Sequence, residues 1–197
     1  MRHFTRLAVA FAAAVLTLPA SAATIVFFTS MDGPSEEPPV PSPATGWARV
    51  TFNDVALTMK VQAVFEDLVG TTTVAHIHCC TAVPGAGTIG VATQPGTFLG
   101  WPAGVTSGNY ESTFDMSVAA SYTAAFLTAN GGTPAGAFAG LLAGLEAGRG
   151  YFNVHTTFRP GGEIRGFLVR VPEPGSLILI GLGLVIVALA TRRRRSD

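Results

Sequence analysis

Apart from His3, every histidine of this 197-residue chain falls in one of two short segments. The first runs Val74-Ala75-His76-Ile77-His78-Cys79-Cys80, and the second, from Gly150 to Val169, holds His155. Neutral imidazole suits copper and zinc, so three histidines that converge are candidate ligands for a transition metal. In an extended strand, alternate side chains share a face and residues i and i+2 stand about 7 Å apart at Cα, a gap that two rings can close onto one ion. His76 and His78 meet that condition, with Ala75 and Ile77 on the opposite face. In the second segment Tyr151, Asn153 and His155 alternate with Phe152 and Val154, and Glu163 and Arg165 alternate with Ile164 and Gly166. The candidate metal ligands are therefore His76, His78 and His155, with Asn153, Glu163 and Arg165 as the polar residues placed to orient them. A competing reading needs no metal: the histidines hydrogen-bond to Glu163 and to backbone and fix strand register. Glu163 and Arg165 also read as a solvated ion pair, a common and weak interaction, and Gly161-Gly162 as a tight turn. Cys79 and Cys80 offer soft ligands, but buried or oxidised cysteines are an equal reading, and they stay outside the candidate set.

The elements that must carry these residues read as strands. Period-two alternation and β-branched runs mark Thr24 to Thr29, Trp47 to Asn53, Ala56 to Phe65, Thr72 to His78, Tyr110 to Met116, Gly150 to Thr156 and Glu163 to Val169. Turn-rich pieces such as Pro84-Gly85-Ala86-Gly87 and Arg159-Pro160-Gly161-Gly162 separate them. Short strands with such punctuation predict an antiparallel sandwich. Ser121 to Asn130 and Ala135 to Ala147 are Ala- and Leu-rich, with Phe138, Leu141, Leu142 and Leu145 at helical spacing and Gly148 as a stop, so a short helical insertion precedes the last two strands. Adjacent cysteines cannot staple distant segments, so no disulfide framework holds this fold.

Both ends of the chain are apolar for another reason. Arg2 and Arg6, the run Leu7 to Leu18, and Pro19-Ala20-Ser21-Ala22 have the order of a cleaved signal peptide with its cut after Ala22. An uncleaved anchor is disfavoured because the run is shorter than the roughly 20 residues a span needs. At the other end Val171-Pro172-Glu173-Pro174-Gly175 leads into 16 uncharged residues, Ser176 to Thr191, and then Arg192 to Arg195. As a helix that stretch is about 24 Å long, a short span against a hydrocarbon core of roughly 30 Å. The arginines would hold its end on the cytoplasmic side. A buried core helix is the alternative, but the segment has no amphipathic stripe. The expected division is signal peptide 1–22, domain 23–170 and tail 171–197 with a transmembrane helix over 176–191. Between Ala23 and Arg170 lie six basic and ten acidic residues, so an overall neutral chain contains a mildly acidic domain. With no basic stripe, nucleic acid is excluded as a partner.

Two resemblances follow from these residues. The tail, with Pro172-Glu173-Pro174, an apolar segment and an arginine cluster, resembles a PEP-CTERM sorting signal. That resemblance implies processing by an exosortase after signal peptidase cleavage, a transient inner-membrane anchor, and delivery to the surface or extracellular matrix of a Gram-negative bacterium. The segments His76-Ile77-His78, Tyr151-Phe152-Asn153-Val154-His155-Thr156 and Pro160-Gly161-Gly162-Glu163-Ile164-Arg165-Gly166, with Glu37-Pro38-Pro39-Val40 upstream, resemble a CHRD domain from about Ile25 to Val169. The resemblance implies an all-β, immunoglobulin-like β-sandwich with no assigned catalytic activity, and Cys79 and Cys80 depart from the small residues expected after His78. The His-x-His pair is also similar to that of copper-zinc superoxide dismutase, as an analogy. The chain has no Gly-x-Ser-x-Gly and no His-Glu-x-x-His. The favoured function is a non-catalytic binding or structural module with exopolysaccharide or a surface protein as partner. The alternative is a histidine-based copper or zinc domain with redox activity.

Overall fold

The computed structural model describes residues 24–94, 96–172, 181 and 183–185. Eight strands form: β1 (Thr24–Asp32), β2 (Thr45–Asn53), β3 (Thr58–Glu66), β4 (Thr72–Cys79), β5 (Gly108–Asp115), β6 (Gly150–Thr156), β7 (Ile164–Phe167) and β8 (Val169–Arg170). A 3-10 turn at Ala119–Ser121 and two short helices, α1 (Ala124–Ala129) and α2 (Pro134–Glu146), lie between β5 and β6. The helices start where the sequence caps them. Thr123 accepts from Phe126 N, and Thr133 accepts from Gly136 N with Pro134 in the first turn. Gly148, at φ 68°, supplies the left-handed residue that ends α2. The β2–β3 turn is held by Asn53, whose Oδ1 accepts from Val55 N and Ala56 N at 3.1 and 2.7 Å.

The expected sandwich does not form. All strands join one sheet in the order β4-β6-β7-β1-β2-β3-β5, with β8 also paired to β1. A sandwich needs a break between two layers, and β1 closes that break. Along its full length β1 pairs with β2, and on its other side it meets β7 through Asp32↔Arg165 and β8 through Phe27↔Arg170 and Phe28↔Val169. The sheet instead curls on itself as a mostly open half-barrel. Its inner face carries Phe27, Val50, Phe52, Met59, Val61, Ile77, Phe152 and Val154, all fully buried. Phe138 of α2 lies against Phe52 at 5.9 Å. Across the open side the β4–β5 connection inserts Phe98, 5.3 Å from Phe114 of β5 and 5.6 Å from Phe152 of β6. Phe98, with Trp101 5.1 Å from Tyr110 of β5 and 6.0 Å from Phe152, thus bridges the two arms of the curl by burial of aromatic area.

The free edge of β4 is covered by the same connection. Ala92 N donates to Ile77 O and Phe98 N to Ala75 O, while Thr93 and Thr97 hydroxyls accept from Ile77 N and Ala75 N at 3.0 Å each. An exposed edge is thereby satisfied without another strand. The expected single strand Glu163 to Val169 breaks at Leu168, and Glu163 itself precedes β7.

The transmembrane helix expected over 176–191, and the inner-membrane anchor drawn from it, are corrected. Among the described residues no helix is long and apolar enough to cross a membrane, in keeping with a 16-residue stretch that falls short of the hydrocarbon thickness. Most of that stretch, like the signal segment 1–22 with Ala22, lies outside the described residues.

Candidate metal centre

All seven residues of β6 are buried, so both faces of this strand are covered. Phe152 and Val154 face the inner core. On the outer face Tyr151, Asn153 and His155 lie beside His76 and His78 of β4 and Arg165 of β7, in the register His76↔Asn153↔Arg165 and His78↔Tyr151↔Phe167. The outer face is solvated elsewhere, with Phe28 and Trp47 half-exposed, but here three loops roof it: 33–44, 81–107 and 157–163.

His76, His78 and His155 converge under that roof. One ring nitrogen from each lies within 4.8 Å of the others, and all three residues are buried. Each Nδ1 faces a backbone carbonyl from a roof loop: Gly96 O at 3.3 Å for His76, Ile89 O at 2.6 Å for His78 and Pro160 O at 2.8 Å for His155. A carbonyl only accepts, so each Nδ1 carries the proton and each Nε2 keeps its lone pair. All three Nε2 atoms are buried with no hydrogen-bond partner. Burying such an acceptor unpaired costs about 1–3 kcal/mol, and three together is a configuration that a bound cation would relieve.

Protons do not fill that role near neutral pH. Burial, reinforced by the neighbouring His155 and His78, pushes His76 down to about 3. Burial likewise pushes His78 down to about 4, against the opposing pull of its bond to Ile89 O and with help from His155 and Arg165. His155 is lowered by burial, partly offset by its bond to Pro160 O. The neutral form that binds metals is the form present.

The ring of His78 stacks on Tyr151 at 4.7 Å with 7° between planes, and the Arg165 guanidinium lies over the Tyr151 ring at 4.8 Å. Arg165 also donates to Ser35 O, to Gly87 O at 3.0 Å and to Glu37 Oε2 at 3.3 Å, and lies 3.8 Å from Glu36 Oε2. It ties loops 33–44 and 81–107 to β7. Glu36 is buried beside it, and burial, against the attraction of Arg165, pushes its carboxyl up to about 7.

Of the residues expected to orient the histidines, Asn153 sits between His76 and Arg165 in register, with its Oδ1 buried and unpartnered. Arg165 acts at one remove, through Tyr151 and the loops. Glu163 does not reach the histidines. Its carboxylate accepts from Ser42 Oγ at 2.6 Å, Val69 N at 2.7 Å, Gly70 N at 3.1 Å and Thr156 Oγ1 at 2.6 Å. The reading of Glu163 and Arg165 as one ion pair fails with it, since the carboxylates beside Arg165 are Glu36 and Glu37. Cys79 and Cys80 are bonded to each other. Cys79 belongs to the inner core beneath α2, on the face opposite His78. Glu36, Tyr151 and the carbonyls of Gly96, Ile89 and Pro160 were not singled out from the sequence. Tyr151 was signalled by alternation alone, and backbone carbonyls carry no sequence signal.

A buried three-histidine cluster on one face of a curled antiparallel sheet could hold a metal ion. The CHRD domain family matches residues 27–168, and the chain belongs to that family. Residues 170–195 match the PEP-CTERM protein-sorting motif. Neither a curated protein nor a solved structure matches the chain. A CHRD domain joined to this motif is an exported, non-catalytic structural or binding module, sorted to the outside by an exosortase.

Proposed function

We propose that residues 23–170, released from the signal peptide after Ala22, form a surface or matrix module that binds a transition metal, copper or zinc, through Nε2 of His76, His78 and His155. The observation that carries this reading is the set of three buried, unpartnered Nε2 atoms whose tautomers are fixed by three separate backbone carbonyls. A purely structural polar cluster would pair those nitrogens with donors. Asn153 supports the site from beside His76, and Arg165 supports it through Tyr151. Signal peptidase acts at the N-terminus, and Pro172, Glu173 and Pro174 mark the tail for sorting. Exopolysaccharide or another surface protein is the macromolecular neighbour that this destination implies.

The test is titration of the metal-free exported protein with Cu(II) and Zn(II), repeated with His78→Ala. One ion per chain should bind with Kd below about 1 µM, corresponding to about −8 kcal/mol, and His78→Ala should weaken binding at least tenfold. Wild-type binding weaker than millimolar, or binding indifferent to the substitution, refutes the metal centre and leaves the exported module without it.

A further inference from the structure

A divalent ion in a protein is usually balanced by an anionic ligand or keeps a coordination position open to water, as zinc does with three histidines and a solvent molecule. Neither provision is visible around His76, His78 and His155. Among the described residues the cluster contains no carboxylate and no thiolate. The carboxylates close by in the fold lie outside that cluster: Glu163 bonds to Ser42, Thr156 and the amides of Val69 and Gly70, Glu37 bonds to Arg165, and Glu36 lies 3.8 Å from Arg165 through Oε2 with its Oε1 unpaired. The sulfurs of Cys79 and Cys80 are bonded together and lie against Gly144 of α2. All three Nε2 atoms are sealed from solvent.

Behind the site Arg165 is flanked by Glu36 and Glu37. Arg165, 4% exposed, lies over the ring of Tyr151, on which His78 stacks. The cost of burying an ion scales with the square of its charge, so a divalent ion placed here costs about four times the desolvation of a monovalent one. Zinc(II) and copper(II) also seek a fourth ligand, and the other unpaired side-chain oxygens nearby are the neutral Asn153 Oδ1 and Glu36 Oε1, the latter outside the converging ligand set.

We propose that the site selects copper(I), a monovalent d10 ion that three imidazoles satisfy, over zinc(II) and copper(II); this rests on the three-histidine reading above. The neutral ligand set, with no carboxylate among its converging atoms, and the sealed roof favour the ion of lower charge and lower coordination number. Asn153, in register with His76 and two residues from His155, is the position from which an anion would reverse that preference.

The experiment uses metal-free exported protein under anaerobic conditions. Copper(I), supplied as its acetonitrile complex, competes against a chromogenic copper(I) chelator, and zinc(II) and copper(II) are titrated in parallel. We expect one copper(I) per chain, bound at least 1000-fold more tightly than zinc(II), with an X-ray absorption edge of three-coordinate copper(I) with nitrogen ligands. Asn153→Asp should raise zinc(II) affinity at least tenfold and narrow the gap. If zinc(II) or copper(II) binds within tenfold of copper(I) and His78→Ala abolishes that binding, the metal centre stands and the selectivity is overturned. If no ion's affinity responds to His78→Ala, both are overturned. The wild-type competition decides the matter even if a variant fails to fold.

Discussion

Glu163→Gln is the substitution that most directly tests how the roof is held. The carboxylate is fully buried and accepts four hydrogen bonds, from Ser42, Val69, Gly70 and Thr156, that join three loops to the end of β6. Glutamine keeps the shape but replaces one oxygen with an NH2 group, turning a donor toward donors. The Ser42 and Thr156 hydroxyls can rotate, but the amides of Val69 and Gly70 cannot, so at least one is left unpaired. A buried orphan donor costs about 1–3 kcal/mol, and a hydrogen bond to a charged group contributes about 1.5–3. The expected loss is about 3–5 kcal/mol, a large part of the stability of a domain this size. Urea denaturation of wild type and variant, with the midpoint falling at unchanged slope, reads that loss. The sign with pH is also fixed. Burial alone would raise this carboxyl, but the hydrogen bonds from Ser42, Thr156, Val69 and Gly70 together hold it below the ordinary value. Its contribution is therefore present above the unfolded pKa and is lost as pH falls through the folded one. A Glu163→Gln protein within 0.5 kcal/mol of wild type, on the usual scale for neutral surface changes, would show that the network does not hold the loops.

The remaining predictions concern the histidines, α2 and the tail. His76 and His78 have folded values of about 3 and about 4, below the unfolded value near 6.5. The unfolded chain thus binds more protons between those limits, and the stability of the metal-free protein should fall as pH drops from about 7 toward 4; thermal melts that are flat across that window in wild type but sloped in a triple His→Gln variant would contradict the buried neutral assignment. In Gly144→Ala the new methyl would stand 2.5 Å from Cys79 Sγ and closer still to Cys80 Sγ. Overpacking of about 1–3 kcal/mol should outweigh the roughly 1 kcal/mol gained in helix propensity, and an unchanged or raised Tm would show that the disulfide does not pack there. Glu173→Ala should block exosortase-dependent sorting; surface or medium fractions equal to wild type by immunoblot would remove the motif's role.

The sequence determined the outer-face histidines and the strand set because side-chain alternation is a local property of an extended chain. His76 and His78 had to share a face, and Ile77, Phe152 and Val154 had to take the other, whatever those strands paired with. The helical insertion was legible for the same reason, through apolar spacing and the Gly148 stop. The sorting tail and the CHRD motifs were legible as ordered residue patterns. Layering was not, because a sandwich and a curled sheet present the same alternation. The choice was made by β1 pairing with β7 and β8, across more than 130 residues of chain. Glu163 was misplaced for a related reason: one residue outside a strand, alternation no longer fixes direction, and the amides of Val69 and Gly70 captured the carboxylate. What orients the histidines was hidden altogether, since Gly96, Ile89 and Pro160 act through carbonyls that every residue possesses, and only loops folded back over the sheet bring those oxygens to the imidazoles.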